Sequence, residues 1–304
     1  MLPRARIGVL FFTSGWFRDV GIQDEQTGSL TSDIERTAEQ ILGALRPGVD
    51  TVGGGVIFTQ EQAAKAGEEI RRAGVDGLLL SPLMWCEDQI VRAALKQVPR
   101  LPILLCTFFP SRELPAYLPY LEMLKGTGSV GTLQLSGMLK REGWSYHPVT
   151  GYHADPALYE EIKEYCGALA VRRMLGRATV GVMPFRCEQM STTYVDEFAV
   201  RSLYGVELKY LEMSRLRDAA QAVDGPHIAA FIKRLESGGA VVEVDRRNLE
   251  EGVKYAIAME RMVREEKFDV FVMNDVIEEM HRSLGLRPCL ANPDLSETGA
   301  VVAM

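Results

Sequence analysis

The stretch 77-GLLLSPLMWCEDQIVRAALKQVPRLPILLCTF-108 decides the fold. It holds two continuous apolar runs, 77–83 and 102–108, on either side of one helical segment, Glu87 to Val98. Such short apolar runs read as buried strands, and strand–helix–strand alternation at this spacing means a parallel sheet with helices on both faces. Ligands of these sheets lie beyond the carboxyl ends of the strands. The loop Trp85-Cys86-Glu87 is therefore the first candidate site segment.

The alternation continues upstream. Residues 5–12 (ARIGVLFF) read as a strand, and Thr31 or Ser32 caps a helix carrying Ile34, Ala38, Ile41 and Leu45 at helical spacing. Pro47-Gly48 stops that helix, 51–59 (TVGGGVIFT) is a second strand, and Gln60 to Ala73 is a helix closed by Gly74. The carboxyl-end rule adds Trp16, Phe17 and Arg18 after the first strand and Phe109 to Arg112 after the fourth. Gly53-Gly54-Gly55 precedes its apolar residues instead of opening a helix, so it is not a dinucleotide fingerprint.

Downstream, Pro110 to Pro119 is too irregular for a helix. GTGSVGTLQLSGMLKREG (126–143) reads as a helix whose small and hydroxyl residues suit close packing against another backbone or a neighbouring subunit. Tyr146 to Tyr152 is a short strand, along which His147 and His153 could share a face. No third metal ligand is spaced to join them.

Asp155-Pro156 opens a long helix to Leu175, and the pattern then restarts. This places the domain boundary near 155: an N-terminal α/β domain, 1–154, and a central α/β domain, 155–304, incomplete at its C-terminal end. The second domain reads as strand 178–184, loop FRCEQM, helix Thr192 to Tyr204, strand 206–213, helical segments 214–223, 226–237 and 246–267, and strand 269–273. In its first loop, Arg186 beside Cys187, Glu188, Gln189 and Met190 can meet an anionic or hydroxylated ligand, or Arg186 and Glu188 can carry an interdomain or intersubunit salt bridge. Asp196-Glu197 points two ways around a helix and does not form a catalytic dyad. The final run Ala300-Val301-Val302-Ala303 reads as a strand buried on both faces, after a helix, a Pro-rich bend and a second helix. The expectation is a front part of a longer protein. The fold class is α/β, with two consecutive Rossmann-like, doubly wound, mainly parallel-sheet domains.

Composition excludes several functions. With 304 residues, 47% hydrophobic and 25% charged, the chain can bury two cores. Its 34 Lys and Arg against 41 Asp and Glu, net −7, carry no basic run to attract nucleic acid or an anionic membrane surface. No segment reaches the roughly 18–20 apolar residues of a membrane span. Two arginines before the first apolar run mimic a signal peptide, but Thr13 and Ser14 interrupt it, so it is a strand. Cys86, Cys106, Cys166, Cys187 and Cys289 form no C-x-x-C pair, which reads as reduced and cytoplasmic.

Four stretches carry a family resemblance: RIGVLFFTSGWFRDVG (6–21), SPLMWCED (81–88), VGVMPFRCEQM (180–190) with YVDEF and YGVEL, and FDVFVMNDVIEEM (268–280) followed by LGLRPCLANPDLSETGAVVAM (284–304). In order and spacing the chain resembles the first two domains of the L-fucose isomerase and L-arabinose isomerase family, cytosolic aldose–ketose isomerases that use manganese. The resemblance implies a homo-oligomer, trimer or hexamer, with sites shared between subunits. It implies that Arg18, with Trp16 as the alternative match, and Trp85 reach a neighbour's sugar. It also implies that Asn274 stands where the family has a substrate-binding Gln, one methylene longer. The family's metal-ligating Glu would follow Met304, so the manganese ligands would lie outside this chain. The implied reaction is a cis-enediol isomerisation of a free pentose or deoxyhexose, its oxyanion stabilised by the metal. A non-catalytic sugar-binding receptor or regulator of the two-domain α/β type is the rival reading. It would have the chain cross back to the first domain.

Overall fold

The computed structural model describes residues 4–19, 27–114, 116–288, 290 and 297–303. The chain divides into two compact units at Arg173/Met174.

The first unit is built on strands β1 (Arg6–Phe12), β2 (Asp50–Ile57), β3 (Gly77–Pro82), β4 (Ile103–Phe109) and β5 (Tyr146–Tyr152). They form one parallel sheet in the order β2-β1-β3-β4-β5. The helices are α1 (Trp16–Asp19), α2 (Thr27–Leu45), α3 (Gln60–Ala73), α4 (Asp88–Leu95), α5 (Tyr120–Lys125), α6 (Gly128–Arg141) and α7 (Pro156–Leu175). Successive strand residues point to opposite faces. Ile7, Val9 and Phe11 of β1 share a core with α2 and α7, while Leu10 and Phe12 share the other with α3, α4 and α6. Both faces are thus covered over the middle of the sheet, which is why β1, β3 and β4 are apolar at nearly every position.

Two readings of this half change. Helix α7 packs on the first sheet through Leu158, Ile162, Cys166 and Leu169, so it closes the first unit instead of opening the second at 155. Helix α2 begins at Thr27, ahead of Thr31 and Ser32, because Leu30, 1% exposed, extends its apolar stripe by one turn. The Pro-rich excursion runs into α5, which Lys125 ties to Asp33 of α2 at 2.7 Å. The three glycines of β2 serve a bulge: Gly53 and Gly54 have φ of 81° and 104°, where the register with β1 shifts.

The Lys125 hydrogen bond, with Arg36 adding to it, holds the Asp33 carboxyl below the usual carboxylate range against the opposing effect of partial burial. A depressed carboxyl contributes stability that is present above its unfolded value, about 3.9, and is lost as pH falls through the folded one. Asp33→Asn is therefore expected to be less stable at pH 7 by at most about 1 kcal/mol, since the pair is partly solvent-screened. The difference should close below about pH 4. Urea unfolding at pH 7 and at lower pH checks this, and a pH-independent difference would contradict it.

The second unit has strands β6 (Thr179–Met183), β7 (Glu207–Tyr210), β8 (Val270–Met273) and β9 (Val301–Ala303), parallel and in the order β7-β6-β8-β9. Its helices are α8 (Glu197–Tyr204), α9 (Met213–Gln221), α10 (Gly225–Ser237), α11 (Arg246–Glu266) and α12 (Glu278–Leu284). One sheet face, carrying Met183, Phe271 and Met273, packs on α9 to α12. Glu266 of α11 takes both Lys209 and Arg215 as ion-pair partners, locking β7 and α9 to that helix. The opposite face is different: Val180, Val182, Leu208, Val270 and Val272 are only half-buried. Helix α8 buries none of its residues. The final strand is also not buried on both faces: β9 lies at the sheet edge, with Val301 66% exposed. An apolar run carries no mark of edge or centre. The second helix expected before β9 and Cys289 lie outside the described residues.

Candidate functional site

At the carboxyl edge of the first sheet, the loops after β1 and β3 are joined. The Ser14 amide donates to the Trp85 carbonyl at 3.0 Å. The Ser14 hydroxyl donates to Glu87 Oε1 at 2.9 Å and accepts from the Trp16 amide at 3.1 Å. Order β2-β1-β3 makes this the point where connections leave β1 and β3 in opposite directions, the usual crevice of such sheets. Trp16, 44% exposed, meets buried Phe17 edge to face at 5.2 Å. The Arg18 guanidinium lies over the Phe58 ring at 4.9 Å.

Helix α6 fixes Trp85. The Trp85 amide donates to Thr127 Oγ1 and its indole Nε1 to Gln134 Oε1, each at 3.1 Å. The small residues of this helix allow that approach: a Cβ on Gly128 would meet the Pro82 carbonyl oxygen at 2.5 Å, and one on Gly131 the Pro82 side chain at 2.9 Å. The close packing foreseen for this helix is within the chain. Cys86 is fully buried, which pushes its thiol up to about 12, so it is not a nucleophile at neutral pH. Glu87 Oε2 and Thr13 Oγ1 are buried without a hydrogen-bond partner among the described residues. Arg112 is held by Asp155 at 2.8 Å.

The second unit has a cavity of about 550 Å³ at the carboxyl edge of its sheet, between the open face and the loop after β6. Arg186 and Asn274 both line it. The Asn274 amide donates to the Met183 carbonyl at 2.8 Å and its side chain donates to the Phe185 carbonyl at 3.3 Å, so β8 and the loop after β6 are tied together. The Arg186 guanidinium lies over the Tyr194 ring at 3.9 Å. The loop folds back on itself: Tyr194 Oη donates to the Glu188 carbonyl at 2.8 Å, and Thr193 Oγ1 to the Cys187 carbonyl at 2.7 Å. Gly181 faces away from this cavity, beneath the Phe268 ring, 2.7 Å from where its Cβ would be.

Asp196 caps α8 through the Ala199 amide, and Glu197 accepts from Tyr210 Oη at 2.7 Å, which raises the Tyr210 pKa. The two acids thus have separate structural duties. Tyr210 and Asp275, which also line the cavity, escaped the sequence reading although both sit at strand ends.

The two histidines near β5 are separate. His147 stacks on Tyr165 at 5.1 Å, and His153 Nδ1 donates to the Phe109 carbonyl at 3.0 Å. Among the described residues no group of three His, Cys, Asp or Glu could hold a metal ion. The described side chains therefore supply no ligand set for manganese. No described helix is long and apolar enough to cross a membrane.

No family model matches the sequence, and no curated protein matches it. Among solved structures, one neighbour is the periplasmic binding protein component of the arabinose ABC transporter from Shewanella sp. ANA-3, bound to alpha and beta-L-arabinofuranose. It is 11% identical, with 96% of this chain and 84% of that chain covered and a TM-score of 0.19, a likeness that bears on neither fold nor ligand.

Proposed function

We propose that the chain binds a small sugar at the carboxyl edges of its parallel sheets, and that this sugar is the substrate of a cytoplasmic aldose–ketose isomerase acting as a homo-oligomer. The observation that carries the reading is the junction at Ser14, which brings the Trp16 and Trp85 loops together in the switch-point crevice. An indole face suits the C–H face of a sugar, and Gln134 fixes the Trp85 ring in one orientation. In the second unit, Arg186 and Asn274 supply donors for hydroxyl groups. These groups bind and orient. Isomerisation further requires stabilising the enediolate oxygen, for which the resemblance supplies manganese and this chain's described residues supply no ligand set.

The second reading, a non-catalytic sugar-binding receptor or regulator, draws on the same hydrogen-bonding groups. Calorimetric titration with L-fucose and L-arabinose, followed by an assay of manganese-dependent aldose-to-ketose conversion, separates the two. Binding with turnover supports the isomerase, binding without turnover supports the receptor, and no binding to either sugar overturns both. Trp85→Ala is expected to weaken binding about tenfold, the worth of roughly 1.4 kcal/mol of aromatic contact, or to raise KM with metal content unchanged. Unchanged binding and kinetics would remove Trp85 from the site.

A further inference from the structure

We propose that the first unit carries a second binding site, for a small organic phosphate, at the amino edge of its sheet. This site goes beyond the sugar reading above and does not depend on it.

A cavity of about 620 Å³ opens there, lined by the residues that lead into β4 and β5 and by one face of α7. It and the crevice at Ser14 lie at opposite edges of the sheet, a strand length of roughly 20 Å apart.

Its arginines lack a carboxylate. Arg100 is fixed in place: its guanidinium lies over the Trp144 ring at 4.1 Å, and Nη2 donates to the Glu142 carbonyl at 2.9 Å. That bond uses one N–H of the fork and leaves others for a ligand. Arg172 follows Tyr165 by seven residues, on the same face of α7. Burial pushes the Tyr165 phenol up and the Arg172 charge works against it, so the guanidinium is close to this wall. Neither arginine meets an acidic side chain among the described residues. Glu142, the acid that lines the cavity, is already taken by Arg92 at 2.7 Å. Two cations thus stay uncompensated in a chain whose net charge is −7.

That charge selects the ligand. A phosphate monoester carries about −1.5 to −2 at pH 7 and matches two guanidinium groups, whose forks suit its oxygens. A carboxylate brings less charge. The rest of the wall is carbon and rings: Leu101, Pro102 and Tyr146 are half-buried, and His147 stacks on Tyr165. The volume lies within the range of roughly 300–1,000 Å³ for small-molecule pockets and exceeds what a bare phosphate fills, so the phosphate carries an organic body.

Phenyl phosphate, inorganic phosphate, benzoate and phenol, titrated calorimetrically into the full chain at low salt, test this. Phenyl phosphate is expected to bind most tightly, inorganic phosphate and benzoate more weakly, and phenol not at all. Arg172→Gln, at an exposed position, should weaken phenyl phosphate at least about tenfold, the ratio that corresponds to one charge-assisted hydrogen bond, with the circular dichroism spectrum intact. Arg100→Lys should weaken it several-fold, because a point charge replaces the fork. Arg72→Gln is the control, an exposed residue of α3 paired with Glu68 at 2.9 Å, and should bind as the parent chain does. The same affinity in Arg172→Gln and Arg72→Gln overturns the assignment to this cavity. Inorganic phosphate binding as tightly as phenyl phosphate overturns the organic body, and benzoate binding as tightly overturns the phosphate. Failure of both phosphates to bind overturns the proposal, whatever L-fucose and L-arabinose do.

Discussion

Phe271→Ala is expected to remove about 3–5 kcal/mol from the stability of the second unit, out of the roughly 5–15 kcal/mol that holds a domain together. Phe271 is 1% exposed and sits in β8, paired with Gly181 of β6 and Val302 of β9. Its ring belongs to the single core formed by the covered face and α9 to α12. Gly181 beside it has no side chain, and Phe268 already occupies the space above that glycine, so no neighbour is free to collapse into the void. Val182→Ala, one residue along β6 on the open face, should cost about 1 kcal/mol, because its methyls are only half removed from water. Urea unfolding of both variants measures the contrast. Similar losses would mean that the two faces are equally packed, and the description of the second sheet as covered on one side only would fail.

That contrast also marks what could be read before the structure. Strands β1, β3 and β4 announced themselves because both their faces are buried, which leaves almost no polar residue in them. In the second sheet β6, β8 and β9 are similarly apolar, yet one face is open. Val180, Val182 and Val272 look the same in sequence whether a helix covers them or not. Helix α7 shows the same ambiguity. Leu158, Ile162, Cys166 and Leu169 have helical spacing, but periodicity tells which face is apolar and not which sheet it meets, so the boundary moved from 155 to 173/174. For the sites, the carboxyl-end rule placed Trp16, Arg18 and Trp85 after their strands from chain order alone, and Arg186 stood in a strand-to-helix loop, whereas Asn274 came from the family resemblance. Their partners were illegible. Trp85 meets Gln134 across 49 residues, and Arg186 meets Tyr194 only because the intervening loop closes on its own carbonyls.

The dependence of Trp85 on α6 leads to the second large effect. Gly128→Ala is expected to cost about 1–3 kcal/mol and to loosen Trp85 at the same time. The new methyl would stand 2.5 Å from the Pro82 carbonyl oxygen and 3.0 Å from that of Leu83. Both are backbone atoms at the end of β3, which is held between β1 and β4, so the strand cannot give way and the helix must. Thr127 and Gln134, the two residues that accept from Trp85, move with it. In a background with Trp16 and Trp144 replaced by Phe, the emission of Trp85 should shift to the red as its indole N–H exchanges Gln134 for water. Gly137→Ala supplies the control, since a Cβ there meets nothing within 4 Å. It should be neutral or stabilising by up to about 1 kcal/mol, because alanine costs less backbone entropy than glycine in a helix. If Gly128→Ala matched Gly137→Ala in stability and left Trp85 emission unchanged, α6 would not be what holds the indole in place, and the crevice at Ser14 would need another source of rigidity.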